Sequence, residues 1–237
     1  MASSNSTQPV KKMQLTKLTA LAFTLINAPP NHPPVPENPL TGEAFNLTTK
    51  SDTDVWRTPP TAGGRDSFNA PFYVTKVPLK SFNRLRVTAH ADWKSRYAQG
   101  GLVFYYPDTT SPQTPNTTYP AQWLKTGIEF EDNAVFASVV ATNPWSDWSL
   151  RPWGDPKITL EISRKEDGLW VYVEGEGAGR ERAPFRQVTW GFEGQDEGKE
   201  VMVGVFTAMP LPLEGTEDGG ELTVTFEDLQ LDLIEGY

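Results

Sequence analysis

Apolar residues recur along much of this chain at every second position, in short runs punctuated by Gly, Pro, Asn and Asp. Leu85, Val87, Ala89 and Ala91 alternate with Arg84, Arg86, Thr88 and His90. Ile158, Leu160 and Ile162 alternate with Thr159, Glu161 and Ser163. A period of two is that of a strand with one buried face. The second run leads through Glu166-Asp167-Gly168 into Leu169–Val173, which predicts a hairpin with Gly168 supplying a positive φ. Leu21, Phe23 and Leu25 predict an opening strand, and residues 44–50, 54–57, 72–77, 101–106 and 201–208 predict further strands. Near the C-terminus the parity changes: Leu222, Val224 and Phe226 are even, whereas Leu229, Leu231 and Leu233 are odd. A β-bulge near Glu227-Asp228 would keep both sets on the core side. No stretch sustains a helical period. The pattern predicts an all-β protein, an antiparallel two-sheet β-sandwich filling residues 18–237 as one domain, behind a disordered tail at 1–17.

The densest patterning lies in Gln122–Leu150, QWLKTGIEFEDNAVFASVVATNPWSDWSL, which reads as two adjacent strands, a tight turn and a Trp-rich loop. Alternation puts Leu124, Thr126, Ile128 and Phe130 toward the core. It puts Trp123, Lys125, Gly127, Glu129 and Glu131 on the other face, taken here as an exposed polar surface. Lys125 and Glu129 are about 13 Å apart along such a strand, so each needs a partner from a neighbouring strand. The candidates are Asp54, Arg57, Arg86 and Arg164. The loop Asn143–Trp148 can bring Asp147 and Trp148 to the edge of this surface, and Trp56 lies beside Asp54 and Arg57. Indoles flanked by carboxylates, an amine and a guanidinium are the mixture that holds sugars, by stacking and hydrogen bonding. The candidate ligand-binding set is therefore Asp54, Trp56, Arg57, Trp123, Lys125, Glu129, Asp147 and Trp148. If the site were catalytic, Glu129 and Asp147 would carry the chemistry.

Composition narrows the classes. A net charge of −9 argues against a nucleic-acid surface. Without any Cys there is no disulfide framework or thiol nucleophile. His32 sits among prolines and His90 stands alone on its strand, so no metal or other cofactor is expected. No apolar run reaches the roughly 20 residues of a membrane span. Residues 13–28 follow two lysines like a secretory signal, but Thr19, Thr24 and Asn27 interrupt them. A first strand and a cytoplasmic protein are expected, with secretion the alternative. Two Pro-rich connections stand out, residues 29–39 and 107–120. The second has no periodicity and reads as an insertion.

Taken in order, INAPP, SDTDVWRTPP, QGGLVFY, WLKTGIEF, SVVATN, SDWS, ITLEISRKEDGLWVYVEG, RERAPF, VMVGVFTAMP and TVTFEDLQL span about residues 20–233. Together they resemble the regulation-of-enolase protein family of fungal type, a domain of unknown function in the concanavalin-A-like lectin/glucanase superfamily. The resemblance implies a concanavalin-A-like jelly roll and, through the family name, a regulatory partner among glycolytic enzymes. The long 107–120 loop and the acidic, Gly-rich 191–200 stretch depart from the pattern. Glycosidases of that superfamily carry E-x-D-x-E on one strand. Here Glu129-Phe130-Glu131-Asp132 lacks the middle and last acids, so the expectation is a non-catalytic protein binding a glycan or small molecule. The alternatives are a glycosidase with an atypical carboxylate site and a partner of a metabolic enzyme.

Overall fold

The computed structural model describes residues 21–107, 119–166, 168–174, 182–194 and 197–234. The expected tail, residues 13–20 of the signal-like segment and most of the 107–120 insertion lie outside them. Among the described residues there are fifteen strands: β1 (Thr24–Ile26), β2 (Phe45–Lys50), β3 (Val55–Arg57), β4 (Asp66–Phe68), β5 (Phe72–Pro78), β6 (Phe82–His90), β7 (Gln99–Tyr105), β8 (Trp123–Glu131), β9 (Ala134–Thr142), β10 (Ser146–Pro152), β11 (Lys157–Lys165), β12 (Gly168–Glu174), β13 (Arg182–Val188), β14 (Glu200–Ala208) and β15 (Glu221–Leu233).

They form a seven-stranded sheet in the order β1-β5-β14-β7-β8-β9-β10 and a six-stranded sheet in the order β13-β12-β11-β6-β15-β2. Every pairing is antiparallel. The fold is a concanavalin-A-like two-sheet sandwich. Leu85, Val87, Leu160, Ile162, Val224 and Leu231 from one sheet meet Leu102, Phe104, Leu124, Ile128, Val203 and Val205 from the other. Leu85, Val87, Leu124, Ile128, Leu160, Ile162, Val224 and Leu231 are alternate positions read from the sequence, and the other four lie in strands it predicted without assigning a face. Burying each such side chain stabilises the fold by about 1.5–3 kcal/mol, and this layer fixes which face of β8 looks outward.

The shift in β15 is a bulge, with the β6 register slipping between Glu227 and Gln230 and Asp228 at φ 53°. The β11–β12 hairpin also forms. Among its described residues the positive φ is at Glu166 (55°) and not at Gly168, so a residue with a Cβ takes a left-handed position in this turn.

A third element was not foreseen as a unit. Among the described residues β3 and β4 pair with each other alone, and Val55 and Phe68 pack them across the outer face of the seven-stranded sheet. Beneath this flap is a second apolar cluster, Val55, Phe68, Phe72, Val103, Tyr105, Trp123 and Phe206. Hydrogen bonds tie the flap down, among them the following. Thr53 and Met209 exchange hydrogen bonds, with the Met209 amide donating to Thr53 Oγ1 at 2.9 Å. The Arg57 amide donates to Ser146 Oγ at 2.9 Å. Asn27 Nδ2 donates to the carbonyls of Phe68 and Ala70.

Candidate functional site

The outward side chains of β8 run Trp123, Lys125, Gly127, Glu129, and they are not exposed. Lys125 is 3% and Glu129 5% accessible, and Trp123 is fully buried. The alternation was read correctly, but the surface it defines is roofed at one end by the flap. What remains open is a pocket of about 160 Å³ lined by Asp54, Trp56, Arg65, Tyr97, Gln99, Lys125, Glu129, Trp148 and Pro210.

Register builds its floor. Gln99 of β7 lies opposite Glu129, Val103 opposite Lys125, and between them Gly101 faces Gly127. A Cβ at Gly127 would stand 2.1 Å from the Gly100 carbonyl oxygen, and one at Gly101 2.1 Å from that of Thr126. Only glycine fits this pair, and the row between the two charged residues therefore carries no side chain. The Lys125 side chain spans that row to donate to Gln99 Oε1. Gln99 Nε2 in turn donates to the Tyr97 carbonyl at 3.2 Å and reaches Asp54 Oδ1 at 3.5 Å. Lys125 thus reaches the β7 residue that lies opposite Glu129 in the register. On the other side, Ser138 of β9 donates to Glu129 Oε2 at 2.7 Å, and the Trp148 indole donates to Ser138 Oγ at 3.1 Å.

The walls are aromatic and acidic. Trp56 and Trp148 meet edge to face at 5.9 Å, and Trp148 and Tyr97 at 6.4 Å, which makes a continuous rim on the β10 side. Tyr97 holds this position with a positive φ of 65°. Strained backbone of this kind persists where its surroundings over-determine it. Asp54 stands on the flap. Its Oδ1 accepts from the Val55 amide at 2.8 Å, and its Oδ2 lies 3.4 Å from Arg65.

Electrostatically the site is set by Glu129. Burial pushes its carboxyl above the ordinary 4.5, Lys125 and the Ser138 hydroxyl partly offset this, and nearby Asp54 reinforces it. The Lys125 ammonium has three N–H donors, and among the described residues Gln99 is the hydrogen-bond partner it has. The pocket therefore offers unspent donors, carboxyl acceptors and flat apolar walls together.

Five of the expected ligand-binding residues meet here: Asp54, Trp56, Lys125, Glu129 and Trp148. Three do not. Trp123 lies under the flap against Phe68, with the Arg57 guanidinium 4.4 Å above its ring. Arg57 is fully buried and its donors point into the protein. Nε donates to Asp66 at 2.8 Å, Nη2 to the Pro120 carbonyl at 2.9 Å and Nη1 to that of Ala121 at 3.1 Å. Asp147 faces the other way on β10, pairs with Arg186 of β13 and is 72% exposed. An odd position on β10 cannot share a face with Trp148, so the Glu129–Asp147 pair does not assemble. Of the other suggested partners, Arg86 pairs with Glu174 and Asp228 on the opposite sheet, and Arg164 lies 3.7 Å over the Phe192 ring.

Tyr97, Gln99, Arg65, Pro210 and Ser138 were missed. Gln99 carried a signal, a polar residue heading an otherwise apolar strand. Ser138 carried another, sharing parity with Phe136 and Val140. The other three sit in connections, where no period exists to read.

Comparison with known proteins places this geometry in context. An uncharacterized protein of Emericella nidulans is 34% identical over 204 residues, covering 85% of this chain and 92% of that protein. A crystal structure of a functionally unknown protein from Saccharomyces cerevisiae superposes with a TM-score of 0.62 at 24% identity, covering 90% of this chain and 97% of that one. The GH43 protein BlXynB from Bacillus licheniformis matches with a TM-score of 0.53 at 14% identity, over 81% of this chain and 33% of that one, a likeness of fold alone. Residues 31–233 match the family described as protein of unknown function (DUF1349), and the chain belongs to that family.

Proposed function

We propose that the pocket between the flap and strands β7–β10 binds a polyhydroxylated ligand, a sugar ring before others, and does not transform it. The observation that carries this reading is the pairing of an aromatic rim, Trp56, Trp148 and Tyr97, with a buried hydrogen-bonding floor, Gln99, Lys125 and Glu129. Sugars present C–H faces to aromatic rings and hydroxyls that both donate and accept. A floor holding an ammonium, an amide and a carboxyl of raised pKa meets both needs. The lining is also too mixed to be a mere packing defect, because a dry apolar cavity needs no buried charges.

One observation favours a second reading. Asp54 shares the pocket with Glu129, and a carboxyl held above its ordinary pKa beside a second acid is what glycosidic hydrolysis uses. Against it, Asp54 is occupied by the Val55 amide, Gln99 and Arg65.

Titration of the protein with a panel of sugars, followed by tryptophan fluorescence and calorimetry, tests the binding reading. Glu129→Gln and Trp148→Ala should each lower affinity tenfold or more, the loss of about 1.4 kcal/mol of contact. Release of reducing sugar from a bound ligand would favour the second reading. Silence on every sugar would overturn the first and shift weight to a protein partner such as a glycolytic enzyme.

A further inference from the structure

The outer face of a jelly-roll sheet left bare would be an open cleft along which a polymer could lie. Here the flap crosses it. Its first end is tied to the end of β14 through Thr53 and Met209, and its far side is tied to β10 through the Arg57 amide and Ser146. Between those ties it spans β7, β8 and β9, and the space beneath is filled by Val55, Phe68, Trp123, Tyr105 and Phe206. Following β8 from Glu129, the floor is free as far as Lys125 and then ends at the buried Trp123. Toward β14 the pocket is bounded by Asp54 and Pro210, and toward β10 by Trp148. A volume of about 160 Å³ is also below the about 300–1,000 Å³ of pockets that enclose a drug-sized molecule, which leaves room for one small ring and not for several.

We infer that the site is a dead end which takes one sugar residue, either a free monosaccharide or the terminal residue of a chain, and does not take the interior of a polysaccharide. This rests on the sugar-binding reading above and narrows its ligand class. The same wall explains why Trp56 is on the flap. Set edge to face with Trp148, it covers the ring that enters and stands where a preceding residue of a polymer would have to pass.

The test uses the full chain and four sets of probes. These are free hexoses, pentoses and uronic acids; their methyl glycosides; matched oligosaccharides of two to six residues; and soluble xylan and β-glucan before and after partial acid hydrolysis. Affinity should be set by the first residue and stay within about threefold as the chain lengthens, well under the tenfold that 1.4 kcal/mol of added contact would give. Binding to the polymers should rise in proportion to the ends that hydrolysis creates. Methyl glycosides that bind as well as the free sugars identify chain ends as the source. Methyl glycosides that are refused while free sugars bind identify monosaccharides. Affinity that climbs with each residue beyond the second, or tight polymer binding that ignores the number of ends, overturns this inference and leaves the sugar-binding reading standing. Silence on all four sets overturns both.

Discussion

The buried guanidinium of Arg57 holds the flap, and the flap supplies Asp54, Trp56 and Arg65 to the pocket, so Arg57→Met should damage fold and site together. Methionine keeps much of the volume of the arginine stem but none of its donors. It removes the Asp66 contact at 2.8 Å, the bonds to the Pro120 and Ala121 carbonyls at 2.9 and 3.1 Å, and the cation over Trp123. At about 1.5–3 kcal/mol for each hydrogen bond to a charged group, the gross loss would be large. The guanidinium is nevertheless fully buried, and its desolvation is strong enough to lower its own pKa. Methionine avoids that cost. The net expectation is therefore the range seen when one member of a buried pair is removed, about 3–5 kcal/mol. For a chain of this size, that corresponds to roughly 6–20 °C in Tm. Urea denaturation followed by tryptophan fluorescence measures it. Arg57→Met/Asp66→Asn should recover part of the loss, since the pair is coupled. An Arg57→Met midpoint within about 1 kcal/mol of wild type would refute the assignment of Arg57 as the latch.

Trp123→Ala should destabilise by about 3–5 kcal/mol, as for other buried aromatic truncations, because its indole sits under the flap and not at the ligand surface. A thermal melt unchanged from wild type would count against that placement. Gly127→Ala should cost about 3 kcal/mol or more, since its Cβ would meet the Gly100 backbone oxygen at 2.1 Å and backbone cannot swing aside. A stable, ligand-competent Gly127→Ala protein would show that the floor can shift. Glu129 gives a pH signature. Its folded pKa is raised, chiefly by burial. Its contribution to stability is therefore fully present below about 4.5, the ordinary value, and is lost as pH rises through the raised one. Glu129→Gln lacks that loss, so its stability relative to wild type should grow across this window, and denaturation curves that stay parallel with pH would contradict the placement.

Much of the sandwich was legible because burial of one sheet face imposes a period of two. Leu85, Val87 and Ala89 sit in the core as their spacing required, and the parity change before Leu229 marked a real bulge. The same rule sorted β8 correctly, with Leu124 and Ile128 inward and Lys125 and Glu129 outward. Its limit is that alternation distinguishes two faces without saying what covers the second. Trp123 and Lys125 have the same parity, yet one is roofed by Phe68 and Arg57 and the other lies beside open space.

That difference is made by two strands of three residues each, too short to show a period. Val55-Trp56-Arg57 contains the whole division of labour in consecutive positions. Val55 points down into the apolar cluster, Trp56 turns to the pocket rim, and Arg57 points down again to Asp66 and the loop carbonyls. Read as residues, tryptophan and arginine beside an aspartate look alike as ligand-binding candidates. Their roles separate only because adjacent side chains on a strand face opposite ways and the flap has one dry side. A buried arginine surrounded by carbonyls has spent its donors on the fold. A buried lysine whose hydrogen-bond partner among the described residues is one glutamine has donors left for a ligand. The donors left on Lys125 and the aromatic rim beside it centre the site on the ring of Trp56, Trp148, Tyr97, Gln99, Lys125 and Glu129, and not on the row Trp123–Lys125–Glu129.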